Sequence, residues 1–446
     1  MSHQDVLHGN NLDLLAAVRD NFAHAVVTDP PYGLGFMGKD WDAALPDPRT
    51  WAECLRVLRP GGHLVAFGAP RLVHRLTCQI EDAGFEVRDQ LLWVFGSGFP
   101  KSLDVSKAID AAAGAVRDDV AGPGGRSGQV RASMAGDFAG SWDATAPATP
   151  DAARWSGWGT ALKPAYEPIV LARKPLSGTV AANVLAWGTG AINVDGCRVE
   201  KAPDEPPSGW SESGSKASDN GSMSGANYAR EPKPDAAGRW PANLILDEAA
   251  GALLDAQTGA LAGRGNKGPS KRGEYSATSY GVGTGGDCGG ALNYGDSGGA
   301  SRFFYCPKAS RSEREAGLDH LPPRVVDPSR EEDAAARDSP RTGAGRSGEA
   351  RRNHHATVKP LDLMRWLVRL VTPPGGMVLE PFAGSGTTPA ACALEDVDCL
   401  AMELDADYVA IARARVAHAV QQREEELAAK IEASRQMDLF AMEACS

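Results

Sequence analysis

Asp29-Pro30-Pro31-Tyr32 stands just after the apolar run 23–27, Ala-His-Ala-Val-Val. A proline lacks the backbone donor, fixes its own φ and pushes the residue before it into an extended conformation. Asp29 and Pro30 are therefore both held extended, and the Asp29 carboxylate and the Pro30 carbonyl become two rigid acceptors near one another. An exocyclic amine carries two N–H donors, so it is the chemical complement of that pair. Tyr32 adds a flat face on which a base can stack, worth about 1–3 kcal/mol per base. The competing reading is that Pro30-Pro31 only ends a strand and Tyr32 packs locally.

The second stretch is Glu380-Pro381-Phe382-Ala383-Gly384-Ser385-Gly386-Thr387-Thr388. A hydrophobic strand here runs into a tight glycine turn, and a helix begins. Gly384 and Gly386 can take conformations closed to other residues and let a ligand approach the backbone. In open α/β sheets, ligands bind in this crevice outside the carboxyl ends of the strands. Glu403 lies 19 residues after Gly384, at the end of the next apolar run. A carboxylate at that distance is placed to bond ribose hydroxyls, so the pair points to a nucleoside-containing cofactor. The dinucleotide fingerprint G-x-G-x-x-G is broken by Pro389, which argues against NAD. No G-K-[ST] follows the glycines, so this is not a nucleotide-triphosphate loop.

Both stretches need elements to hold them. Spacing predicts a strand at 23–27, a helix at 50–58 stopped by Arg59-Pro60-Gly61-Gly62, and a strand at 63–67. A helix at 73–83, ended by Gly84, and a strand at 90–95 follow. This β-α-β-α-β rhythm implies a largely parallel sheet covered by helices. Residues 112–150, 203–237 and 258–300 are rich in small residues without a sustained period and read as loops or disorder; 323–352 reads as a flexible linker. Islands of order are predicted at 166–173, 184–194, 240–246 and 301–305, the last strand-like. Regular spacing resumes with a helix at 361–371, a strand at 377–380, a helix at 388–394, a strand at 399–402 and a long helix from Tyr408. The two α/β halves could complete one sheet in space.

The 446 residues allow two or three domains, and 51 glycines with 30 prolines fit long irregular segments. No apolar run approaches a membrane span, and 1–7 lack a signal-peptide pattern, so a cytoplasmic protein is expected. Eight scattered cysteines without a C-x-x-C argue against a disulfide framework or a zinc site. His354-His355 lacks further ligands nearby, so no metal is expected. The net charge of −11 excludes a uniformly basic surface but leaves room for a local basic cleft.

Taken in chain order, these motifs resemble those of the amino-methylating DNA methyltransferases of bacteria and phages, in the permuted (beta-class) arrangement where a D-P-P-Y motif precedes the cofactor motif. His8-Gly9-Asn10 with Leu12 and Leu15, then Asp29 to Tyr32, match the family's opening. Further similar stretches are Phe99-Pro100-Lys101-Ser102-Leu103-Asp104, Lys163-Pro164-Ala165-Tyr166-Glu167-Pro168, Phe304-Tyr305-Cys306-Pro307-Lys308-Ala309-Ser310 and His355-Ala356-Thr357-Val358-Lys359-Pro360. Glu380 stands where the family commonly has Asp, and Pro389 replaces a small residue.

The resemblance implies a Rossmann-like, S-adenosylmethionine-dependent methyltransferase fold. It implies a catalytic half at 1–110, an inserted target-recognition region at 111–350, a cofactor-binding half at 351–420 and a helical tail at 421–446. Asp29, Pro30, Pro31 and Tyr32 would hold the target amine. Phe382, Gly384, Ser385, Gly386 and Thr387, with Glu380, would surround S-adenosylmethionine, Glu403 would bind its ribose, and Thr357 and Lys359 would lie near its methionine end. Double-stranded DNA is the implied partner, with a second copy of the chain and a cognate restriction enzyme as further candidates.

An Asp in the first motif position is commoner for adenine N6 in this family and a Ser for cytosine N4, so adenine is the expected base. N4 of cytosine, a catalytically silent DNA-binding relative, and methylation of RNA or protein are the alternatives. No Pro-Cys dipeptide occurs, unlike enzymes that methylate ring carbon five of cytosine. Gly295-Asp296-Ser297-Gly298-Gly299 matches the nucleophile segment of trypsin-like proteases, but sits in a glycine-rich tract without a recognisable His and Asp.

Overall fold

The computed structural model describes residues 2–35, 40–96, 98, 102–118, 145–201, 238–259, 261–262, 297–307, 312–324, 350–355 and 357–443. Strand β1 (Gln4–His8) leads to helix α1 (Asn11–Ala16), whose cap Asn10 accepts from the Leu12 N–H. Strand β2 (Ala23–Thr28) is followed by α2 (Pro48–Val57), which starts on an Asp47 cap with proline in the first turn. Next come β3 (Leu58–Phe67), α3 (Val73–Asp82), β4 (Glu86–Val94), α4 (Val105–Ala112), α5 (Pro150–Arg154), β5 (Tyr166–Arg173) and α6 (Val180–Trp187). Then follow β6 (Leu244–Leu246), α7 (Glu248–Thr258) and the two-residue strands β7 (Leu261–Ala262) and β8 (Ser297–Gly298). The last elements are α8 (Leu361–Val371), β9 (Met377–Glu380), α9 (Thr387–Leu394), β10 (Asp398–Glu403) and α10 (Ala406–Glu443).

Eight strands form one sheet in the order β1-β10-β9-β2-β3-β5-β4-β6. Every pairing is parallel except the two made by β5. The N- and C-terminal parts meet where Ala25 lies opposite Val378 and Val26 opposite Leu379. The α/β, Rossmann-like fold expected from the sequence is the one observed, with both halves in one mostly parallel sheet. Alternation along the strands divides the core into two layers. Ala25, Val27 and Val378 face Leu363, Leu367, Ala391 and Val409 on one side of the sheet. Val26, Leu64 and Leu379 face Leu15, Trp51, Val57 and Leu76 on the other.

Several details differ from the sequence reading. Helix α2 stops at Val57, as the spacing predicts, but residues 59–62 belong to β3 rather than to a separating turn. Helix α2 runs straight into β3, and the pairing with β2 jumps from Ala23↔Leu58 to Ala25↔His63, so these residues bulge out, with Gly61 at φ +76°. Strand β4 starts at Glu86 rather than 90, because β5 pairs with it from Arg173 onward. Strand β5 also separates β3 from β4, which adds antiparallel neighbours to the expected parallel run. The strand-like island at 301–305 is mostly a 3-10 turn, Ala300–Phe303, with Tyr305 alone bridging Ile245. Because β5 and β6 belong to the sheet, any separate insert within 111–350 lies outside those strands. The protease-like segment begins outside the described residues; its Ser297-Gly298 pairs with Leu261-Ala262 rather than forming a strand-to-helix elbow. Among the described residues no helix is long and apolar enough to cross a membrane, and no group of three or more potential ligands could hold a metal ion.

His63 sits on β3 with 5% of its surface exposed, and burial followed by the nearby Arg173 and Arg88 charges lowers its pKa to about 4. Below its unfolded value of about 6.5, the unfolded chain binds a proton that the folded chain refuses. This group therefore contributes stability that is present above pH 6.5 and is lost as pH falls towards 4. We expect His63→Gln to flatten the acid side of a urea-unfolding stability profile in that window, by up to about 1.4 kcal/mol per pH unit.

Candidate active site

Strands β2 and β9 end side by side at the carboxyl edge of the sheet, so the chain turns that follow them share one cleft. A cavity of about 720 Å³ opens there. Asp29, Pro30, Pro31 and Tyr32 line one part of it, and Phe382, Gly384, Ser385, Thr387 and Glu403 line another. Thr357, Lys359 and Glu380 also face it. The sequence-predicted residues thus converge, except Gly386. That glycine, at φ +78°, lies against α10, and a Cβ there would come 2.7 Å from Ala412. Its role is close packing of the turn, not a wall of the cavity.

Around Asp29 the side chains form a closed network. The Lys359 ammonium donates to Asp29 Oδ2 at 2.7 Å and to the Tyr32 hydroxyl oxygen at 3.0 Å, and pairs with Glu167 at 3.3 Å. The Tyr32 hydroxyl lies 2.8 Å from Asp29 Oδ1 and 3.1 Å from Glu167 Oε2. The ammonium also sits 5.3 Å from the Tyr32 ring centroid and 5.0 Å from that of Phe67. Burial would lower the Lys359 pKa, but the Asp29 and Glu167 carboxylates outweigh it and raise it. Burial lifts the Asp29 pKa, with Lys359 pulling against it. The loop after Pro31 is held by Asp42, whose Oδ1 accepts from the Tyr32 and Gly33 N–H groups at 2.6 and 3.0 Å.

The resemblance puts Lys359 beside the cofactor's methionine end, whereas its ammonium is turned to Asp29. Glu380 likewise spends its oxygens internally. It accepts from the Thr28 hydroxyl, from the Thr388 hydroxyl at 2.6 Å and from the Phe382 N–H at 3.0 Å, and burial raises its pKa to about 8. It ties β9 to β2 and to α9. Glu403 accepts from the Gly384 N–H at 2.7 Å and the Asp405 N–H at 2.9 Å, which fixes its carboxylate over the glycine turn. Helix α9 starts at Thr387, after Gly386, without a side-chain cap.

Sequence reasoning missed several contributors. Arg415, buried on α10, donates to Ser385 O at 2.8 Å, Ser385 Oγ at 3.1 Å and Thr387 Oγ1 at 3.0 Å, locking the glycine turn from behind. His355 stacks with Trp41 at 6.0 Å and meets Tyr408 edge-on at 4.7 Å. Burial, with Lys359 nearby, lowers the His355 pKa to about 3, so its ring is neutral. Glu167 was visible only as part of a similar motif. The available signal was a carboxylate placed, like Asp29, at one end of a strongly apolar strand.

Removing Lys359 would leave two half-buried carboxylates, Asp29 and Glu167, without their cation, and breaking a buried pair costs about 3–5 kcal/mol, an upper bound for these partly exposed groups. We expect Lys359→Met to lose up to that much in urea unfolding, and Asp29→Asn with Lys359→Met to recover a large part of it.

A family model described as DNA methylase, of the N6/N4 type, matches residues 252–414. Over 62 residues the chain is 40% identical to the type II methyltransferase M.SmaI of Serratia marcescens, covering 14% of this chain and 21% of that one. Over 59 residues it is 44% identical to M.Cfr9I of Citrobacter freundii, covering 13% and 19%. The chain thus spans about a fifth of the length of the curated relatives it matches. Among solved structures, M1.HpyAVI aligns at 12% identity and TM-score 0.37, over 93% of this chain and 98% of that one. The PvuII cytosine-N4-specific DNA methyltransferase aligns at 12% identity and TM-score 0.40, over 93% and 86%. Over residues 252–414, then, the chain is similar to the N6/N4 DNA methylases.

Proposed function

We propose that this protein is an S-adenosylmethionine-dependent DNA methyltransferase that modifies an exocyclic amine, N6 of a flipped-out adenine, in the D-P-P-Y, beta-class arrangement. The observation that carries the reading is the single cavity in which the Asp29-to-Tyr32 acceptors face the glycine turn and Glu403. The residues fit the cofactor. A carboxylate has about four acceptor sites, so Glu403 keeps capacity for ribose hydroxyls after taking two backbone N–H groups. Gly384, at φ +52°, keeps the turn free of a side chain, and Phe382, Trp41 and Tyr408 supply apolar and aromatic wall. When bound, S-adenosylmethionine supplies an electrophilic methyl group.

The chain's own residues prepare the acceptor. An aromatic amine is a weak nucleophile because its lone pair is delocalised into the ring. Acceptors at Asp29 and Pro30 for its two N–H bonds favour a tetrahedral nitrogen with a free lone pair. Tyr32 stacks on the extruded base and offsets part of the few kcal/mol that flipping costs. No covalent enzyme intermediate is needed, so the rate comes from proximity and electrostatic pre-organisation. Adenine is favoured over cytosine by the Asp at position 29. The partner is double-stranded DNA, read by those parts of 111–350 outside the sheet; swapping them between relatives should move the recognition sequence.

The test combines the purified chain, radiolabelled S-adenosylmethionine and unmethylated DNA, followed by nucleoside analysis. Labelled N6-methyladenine is expected, with Asp29→Ala losing about 100–1000-fold in rate while cofactor binding persists. Labelled N4-methylcytosine would keep the mechanism and change the base. Bound cofactor without label on any DNA would sink the reading.

A further inference from the structure

Asp29 is already engaged before any amine arrives. Lys359 holds Oδ2 at 2.7 Å, and the Tyr32 hydroxyl lies against Oδ1 at 2.8 Å. The hydroxyl has one hydrogen, and the Lys359 ammonium, 3.0 Å away, donates to its oxygen. That hydrogen must therefore point to a carboxylate, and two are in reach: Asp29 Oδ1 and, at 3.1 Å, Glu167 Oε2. Choosing between them takes only rotation about the C–O bond, with no movement of heavy atoms. Glu167 lies on β5, the one strand that runs against the others, and this orientation starts the strand at the cavity edge. Its neighbour Pro168 is held in the sheet by accepting from the Gly68 N–H at 2.9 Å, which fixes the backbone that carries Glu167.

We infer that Glu167 is a positioning residue that takes over the Tyr32 hydroxyl hydrogen and so releases Asp29 Oδ1 for the target amine. This rests on the proposed methyl transfer to an amine. An amine N–H and the phenol otherwise compete for one oxygen, and each weakens the other's bond. With the phenol turned to Glu167, Asp29 gives its full acceptor strength to the nitrogen that must become nucleophilic. Lys359 stays in contact with both carboxylates in either arrangement. The exchange moves no proton between heavy atoms and makes or breaks no covalent bond.

The inference makes Glu167 act through one hydroxyl group, which a double-mutant cycle can test. Glu167→Met removes the alternative acceptor while keeping bulk, and kcat is expected to fall about tenfold, the worth of one hydrogen bond. Glu167→Gln keeps an acceptor oxygen and should recover most of that loss. In a Tyr32→Phe background there is no hydroxyl to relocate, so Glu167→Met should cost less than about twofold further. An equal loss in both backgrounds, or no loss in either, overturns the inference while leaving methyl transfer standing. Absence of methyl transfer by the unaltered chain overturns both.

A second readout is independent of turnover. With tyrosine labelled at the phenolic carbon, adenosine should shift the Tyr32 NMR signal further in the unaltered chain than in Glu167→Met, where only the ring current of stacking remains. A signal that moves equally in both, or in neither, also overturns it.

Discussion

The site depends on two strands from opposite ends of the chain lying side by side for a very short distance. The pairing of β2 with β9 rests on Ala25 opposite Val378 and Val26 opposite Leu379, four residues with no exposed surface. Both strands then leave the sheet on the same edge, which delivers Asp29 and Glu380 to one cleft. The Thr28 hydroxyl bonded to Glu380 fastens the seam at its open end. Burial raises the Glu380 pKa to about 8, and the Thr28, Thr388 and Phe382 donors offset part of the cost of enclosing its carboxyl group. A one-residue slip here would turn every side chain of β9 to the wrong face and carry the glycine turn away with it.

Past the seam, electrostatics divides the cavity into two neighbourhoods. On one side two carboxylates, Asp29 and Glu167, share one buried ammonium and one phenol. On the other, Glu403 is oriented by backbone N–H groups alone, and Arg415 lies behind the turn rather than in the cavity. The neutral ring of His355, packed between Trp41 and Tyr408, adds polarity without charge. An acidic cavity of this kind suits a cationic donor and an amine that becomes cationic as it reacts. It does nothing to attract phosphates, so on a chain of net charge −11 a polyanion could be held only by local groups away from this cleft.

Much of this was readable from residue types. The strand before Asp29, the helix 361–371 and the strand 377–380 follow from simple periodicity, and the two motifs stand out through proline and glycine stereochemistry. Other features escaped for definite reasons. Periodicity carries no direction, so β5 could be recognised as a strand but not as the antiparallel one that parts β3 from β4. The bulge at 59–62 looks like a turn because Pro60-Gly61-Gly62 is turn chemistry, and only the pairing partner tells otherwise. Gly386 was read as a ligand contact, yet its nearest neighbour is Ala412, 26 positions along the chain and on another helix. Lys359 lay in a recognised motif, but the direction of a long flexible side chain is decided by where the carboxylates are.

The bond between Lys359 and Asp29 spans 330 positions. At a synthesis rate of about 5–20 residues per second, roughly 15–65 seconds separate the emergence of these two side chains from the ribosome. Throughout that interval Asp29 has no cation, the outer edge of β2 has no neighbour, and the glycine turn does not yet exist. An unpaired strand edge is a template for association with other chains, and the hazard during synthesis falls on β2 and on β1, which pairs with β10. A chain released before β9 carries Asp29 to Tyr32 without the glycine turn that faces them, so the cleft between the two is not built.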